Sequence, residues 1–265
     1  MNQRKLSQSI GKFPFCREEM IDHLGEFSKI YENRPIRTNT GGQGAAQLFY
    51  SWFVAKKLKP SFIIESGVHK GQGTWAFEQA SPKSQLVCLD PYPQHENGYK
   101  SDSAVYMQHD FASIDWENID KNNTLCFFDD HQNSVNRLIT LSHLGFKKAI
   151  FEDNYPPTQG DCLSLKKVFE SEKTAYCFEG KIPGIESKAS VQDYLFSLLK
   201  TYCEMPPIYD LEKNRWGEPW LTYGMNEPLL DHTDQNFSST FLEGMNQYTW
   251  LNYVELKDNI PPLDI

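Results

Sequence analysis

Apolar and polar positions along this chain follow two alternating rhythms. From Gly44 the residues Ala45, Leu48, Phe49, Trp52 and Phe53 recur at three- and four-residue spacing, which predicts a helix with an apolar face. Lys56, Lys57 and Lys59 follow where cations suit the negative end of the helix dipole, and Pro60 stops the pattern. Short apolar runs come next: SFIIES (61–66), QLVCLD (85–90), AVYMQHD (104–110), LCFFDD (125–130) and KAIFED (148–153). Helical patterns separate them. The one after Asn133 places Val135, Leu138, Ile139 and Leu144 on one face and stops at Gly145. Strands alternating with helices predict an α/β fold, with a parallel sheet covered on both faces. The polar stretch 1–40 carries one further helix near Arg17–Tyr31.

Beyond Asn154 the rhythm loosens. Residues 155–240 hold the helix-like VQDYLFSLLKTYC, the turn-prone EMPPIYD and the aromatic RWGEPWLTY, and read as an insertion or lid. QYTWLNYVELK (247–257) is rich in strand formers and reads as a returning strand. One domain over 1–265 is expected: N-terminal helices (1–58), a core (59–160), an insertion (161–240), and a returning strand with its tail (241–265).

Composition narrows the classes. With 39% hydrophobic and 14% aromatic residues the chain can build a core, which excludes wholesale disorder. A formal net charge of −9 disfavours a nucleic-acid partner. The six cysteines are scattered without C-x-x-C spacing, as suits buried free thiols in a reducing compartment. MNQRKLSQSIGKFPF lacks the apolar core of a signal peptide, and no run approaches the ~20 apolar residues of a membrane span. A soluble, cytoplasmic protein with no membrane partner is expected.

Four of the five strand-like runs end in an acidic residue, and ligands of open parallel sheets bind beyond the carboxyl ends of the strands. The first run leads into FIIESGVHKGQGTWAF, a carboxylate followed by a glycine loop. A P-loop does not fit, because Gln72 stands where its second glycine belongs. The dinucleotide fingerprint G-x-G-x-x-A fits Gly71 to Ala76, but it should follow its strand directly, and a longer loop intervenes. The whole element, Glu65 through Gly67, Gly71 and Gly73, resembles motif I of class I S-adenosylmethionine-dependent methyltransferases. That resemblance implies a doubly wound Rossmann-like sheet, mostly parallel, with a C-terminal antiparallel strand and a helical insertion. It also implies that Glu65, Gly67, His69, Gly71 and Gly73 surround the amino-acid half of S-adenosyl-L-methionine. Asp90 would then accept from the ribose hydroxyls, and Asp110 and Phe111 would meet the adenine.

A second constellation lies at the same edge. FFDDHQNS and FEDNYPP end successive strands, and adjacent strands lie ~4.8 Å apart. Asp130, Asp153 and Asn154 can therefore converge as an incomplete oxygen shell suited to Mg²⁺. The competing reading is that these residues cap the helices that follow. Asp130-His131 and Asp153-Asn154 resemble the pattern of metal-dependent O-methyltransferases of the catechol type. That resemblance runs from about Gly41 to Gly160 and takes in TGGQGAAQ before the first core helix. The macrocin and novobiocin type of sugar O-methyltransferase carries paired acids, which Glu152-Asp153 match. Where the catechol enzymes place a lysine base, this chain has Asn133. The implied activity is Mg²⁺-dependent O-methylation of a small molecule or sugar. Asp130 and His131 would be catalytic, with Asp129 an alternative base. A nicotinamide-dependent oxidoreductase using Gly71, Gly73 and Asp90 stands as the alternative, as does a noncatalytic cofactor-binding protein.

Overall fold

The five apolar runs become parallel strands in a computed structural model that describes residues 9–92, 98–157, 159–170, 188–213, 217, 219, 224–231 and 237–258. They are β1 (Phe62–Ser66), β2 (Gln85–Leu89), β3 (Val105–Met107), β4 (Thr124–Phe128) and β5 (Lys148–Phe151). Two more strands, β6 (Leu199–Glu204) and β7 (Asn252–Leu256), complete a seven-stranded sheet of order β3-β2-β1-β4-β5-β7-β6. β7 runs antiparallel to both its neighbours. This is the mostly parallel, doubly wound Rossmann-like sheet, with its antiparallel C-terminal strand, that the resemblance implies.

Alternate strand residues serve opposite cores, as a two-sided sheet requires. Ile63, Leu125, Phe127 and Ile150 face one cluster, together with α1 (Arg17–Tyr31), α2 (Ala45–Leu58), α3 (Gln72–Ala80) and α7 (Ser239–Met245). Ile64, Cys126, Phe128 and Phe151 face the other, with α4 (Ser134–Leu144), α5 (Leu165–Glu170) and α6 (Lys188–Leu198). The spacing in α2 predicts a single apolar face, yet every residue from Ala45 to Ala55 is buried, because α1, α3 and α7 all pack on it.

Local signals act where the sequence places them. Lys59 takes a left-handed conformation (φ 46°) at the end of α2, ahead of Pro60. Asn133 caps α4 with its own side chain, accepting from the amides of Val135 and Asn136, and Gly145 closes it at φ 84°. The run VQDYLFSLLKTYC, which reads as helix-like, instead divides at Leu198: the helix ends there and β6 begins at Leu199. Pairing with β7 outweighs local periodicity at that point. The segment RWGEPWLTY lies largely outside the described residues, as does Cys177. Cys16, Cys88, Cys126, Cys162 and Cys203 are free thiols, all buried except Cys16. Among the described residues, no helix is long and apolar enough to cross a membrane.

Candidate active site

A cleft of about 410 Å³ opens at the carboxyl ends of β1, β2 and β4. Its floor is the loop between β1 and α3, and glycine is required there. Gly67 has φ 90°, and a Cβ on it would stand 2.1 Å from the Asp129 carbonyl oxygen. Gly71, at φ 81°, meets the Tyr99 carbonyl equally closely. These left-handed conformations are ones that L side chains adopt only with strain. Asp90 ties the loop to β2, its Oδ2 accepting from the amides of Val68 (2.9 Å) and His69 (2.8 Å). Gly67, His69, Asp90 and Asp110 all line the cleft, beside Gln108, His109 and Tyr92.

Four residues expected around the cofactor stand back from the cleft, among them Gly73, which lies in the first turn of α3 against Glu65. Glu65 is 2% exposed and lies beneath the loop, accepting from the hydroxyl of Thr74 and the thiol of Cys88. Burial pushes its carboxyl up to about 8. Gly71 shapes the turn without lining the cleft. Phe111 is fully buried among Trp116, Phe128 and Phe146, so its ring is occupied by the core rather than offered to a ligand.

The acids divide by which side of the sheet they follow. Asp130 continues the face of Phe128, toward α4. There its Oδ2 accepts from the Ser66 hydroxyl (2.6 Å) and from Arg137 Nε (3.0 Å). Arg137 is 7% exposed and also grips Asp110 through both terminal nitrogens, at 2.9 and 2.6 Å. The guanidinium beside Asp110 holds that carboxyl below its ordinary value. Both carboxylates are thus committed to an arginine from α4, seven residues past Asp130. Asp130 precedes α4, which begins at Ser134, so the pairing has no helical spacing to announce it in the sequence.

Asp129, on the opposite face, joins His131 and Asp153 in a group whose candidate ligand atoms all lie within 4.8 Å of one another. The expected trio of Asp130, Asp153 and Asn154 is therefore not what the structure brings together. Asn154 turns into the protein, donating to the Tyr202 hydroxyl at 3.0 Å and accepting from the Lys166 amide at 3.0 Å. His131 adopts φ 54°, which carries its ring back over Asp153. Its Nδ1 sits 3.1 Å from Asp161 Oδ1 and 3.3 Å from Asp153 Oδ2.

Electrostatics make this trio distinctive. Burial, then the neighbouring Glu152 and Asp153, drive the Asp129 carboxyl well above its ordinary range. Burial and Glu152 do the same to Asp153. Burial lowers His131, but Asp153, Asp161 and Asp130 more than offset it and raise the imidazole overall. Asp153 is 6% exposed, yet neither of its oxygens has a well-formed hydrogen bond. Gln43 donates to Asp129 at 3.3 Å, and Glu152 accepts from Thr249 at 2.7 Å. Crowded carboxyls with orphaned oxygens are what a divalent cation resolves, since it supplies the missing positive charge. The donor set fits such an ion: two carboxylates of hard oxygen, with an imidazole alongside.

No family model matches the sequence, and no curated protein matches it either. Among solved structures, an O-methyltransferase from Bacillus cereus in complex with S-adenosylhomocysteine is 11% identical, with a TM-score of 0.42, over 92% of this chain and 93% of that one. The S-adenosylhomocysteine-bound methyltransferase PaMTH1 from Podospora anserina is 16% identical, with a TM-score of 0.35, over 55% of this chain and 74% of that one. A methyltransferase from Geobacter sulfurreducens is 17% identical, with a TM-score of 0.31, over 49% of this chain and 69% of that one.

Proposed function

We propose that this chain is an S-adenosylmethionine-dependent O-methyltransferase whose acceptor is a small-molecule or sugar hydroxyl, held at a divalent-cation site. The observation that carries the reading is the buried Asp153, whose oxygens meet no well-formed hydrogen bond, beside Asp129 and His131, at the rim of a cleft floored by the glycine loop. Asp129 and Asp153 would hold the cation, Mg²⁺ by the hardness of its oxygen ligands, in place of the Asp130 and Asn154 suggested by the motif. A cation held by these two carboxylates would supply Lewis acidity to lower the pKa of the acceptor hydroxyl.

The chain's own groups do the rest. His131 takes the acceptor proton, with Asp161 and Asp153 at Nδ1 holding the ring and favouring the imidazolium. Asp90, with Gly67 and His69 of the loop, receives the cofactor's ribose and amino-acid portions. The two reactants are thereby fixed in one cleft, which converts a bimolecular encounter into an oriented transfer. Asp130 and Arg137 keep the walls at β1, β3 and α4 in register.

Calorimetry with S-adenosylhomocysteine tests the cofactor reading, with binding tighter than about 1 mM expected. Addition of MgCl2 to the complex should then give a second heat that Asp153→Ala abolishes. Thermal stabilisation by NAD with none by S-adenosylhomocysteine would replace this reading with the nicotinamide one.

A further inference from the structure

A second pocket, of about 380 Å³, lies across the 41–44 loop from the cleft and shares Gly41 and Gly42 with it. Its described lining carries two guanidiniums, Arg34 and Arg37, and no carboxylate, in a chain whose net charge is −9. Arg34 is only 5% exposed. It lies over the Tyr31 ring at 4.1 Å and donates to backbone carbonyls of Tyr31 and Arg37. Neither guanidinium meets a carboxylate among the described residues. A buried cation without a counter-charge is costly, and arginines of this kind are suited to oxyanions.

Two further features point the same way. The N-terminus of α2 opens on this pocket at Gly44, with no side-chain cap and no acidic residue in its first turn. Asn39 Oδ1, Gln43 Oε1 and Gln72 Oε1 in the walls are buried acceptors without donors. Gln43 also donates to Asp129, so one side chain spans from the acid cluster to this pocket. The site therefore offers positive charge for an anion and acceptors for hydroxyl groups around it.

We infer that this pocket receives an oxyanion, a carboxylate or phosphate, carried by a hydroxylated methyl acceptor, with Arg34 and Arg37 as counter-charges. The inference rests on the methyltransferase reading for the word acceptor, and on the pocket alone for the anion. It is tested by titrating inorganic phosphate, and succinate in a parallel arm, into protein saturated with S-adenosylhomocysteine. At least one anion should bind, and the arm that responds tells a phosphorylated acceptor from a carboxylated one. Arg34→Met, which keeps the stem over Tyr31, should weaken that anion at least about tenfold. Arg37→Gln, at an exposed position that folding does not depend on, should weaken it about threefold. Both variants should leave S-adenosylhomocysteine affinity unchanged. Failure of both anions to bind, or equal binding by both variants and the parent, would overturn the inference. So would competition between the anion and S-adenosylhomocysteine, which would assign the pocket to the cofactor's own carboxylate. Arg34-dependent anion binding by a protein that ignores S-adenosylhomocysteine would keep the oxyanion site and remove the methyltransferase reading.

Discussion

Asp153 and Asp130 lie at neighbouring strand ends in different surroundings, one buried without a well-formed hydrogen bond and the other clasped by Ser66 and Arg137. Their alanine variants should therefore part company. Asp153→Ala should abolish metal binding and methyl transfer while leaving S-adenosylhomocysteine affinity and the melting temperature little changed. Asp130→Ala leaves Arg137 short of a partner and should cost about 1–3 kcal/mol of stability. Mg²⁺ calorimetry and melting curves on the pair decide the matter, and a reversed pattern would return the metal to Asp130. Glu65 gives a pH signature. Its folded-state carboxyl is raised from 4.5 to about 8 by burial, so the folded protein keeps a proton that the unfolded chain releases across that window. Its contribution to stability is full below pH 4.5 and falls as pH rises toward 8. Glu65→Gln should flatten the decline, read from melting temperatures between those limits. Residue types after successive strands are legible in the sequence, because acids at strand ends stand out against apolar runs. Which of two adjacent acids joins Asp153 is not, since Asp129 and Asp130 both line the cleft and differ in the side of the sheet they follow. The same blindness hides Arg137, whose role depends on α4 lying beside β3 and β4.

At the scale of elements, the loop between β1 and α3 couples the cleft to the acids. Gly67 packs its Cα against the Asp129 carbonyl at the end of β4, leaving no room for a methyl group. Gly67→Ala should cost at least about 1–3 kcal/mol from the left-handed conformation alone. The clash should also displace Asp129, weakening S-adenosylhomocysteine and Mg²⁺ together. Urea denaturation and the two titrations check this, and loss of one ligand alone would separate the loop from the metal site. Elements with strong periodicity are read well from sequence: α2 ends ahead of Pro60, and α4 runs from its Asn133 cap to Gly145. β6 is hidden because Leu195, Leu198 and Leu199 continue a helical spacing, and only the presence of β7 alongside extends the chain.

Across the molecule, a buried ion network holds the far half of the sheet to the site. Lys166 is fully buried and donates to Glu170 (2.7 Å) and to both oxygens of Glu204 (3.0 and 2.8 Å), while Tyr202 links Glu204 to Asn154. Lys166→Ala strands two buried carboxylates and should destabilise the fold by about 3–5 kcal/mol, seen as a lower urea midpoint. A loss below about 1 kcal/mol would mean that water or protonation replaces the ammonium. The sheet order has a different consequence, for the protein's synthesis. β7 follows β6 in the chain but lies between β6 and β5, so no earlier strand can take its place. While a ribosome is still translating the codons before Asn252, β5 has an open edge and β6 has only its single bridge to Ile10, a state prone to mispairing. Nascent chains arrested before that point should be cut readily by protease and should recruit chaperones. Chains arrested after residue 256 has cleared the exit tunnel should become protected in a single step.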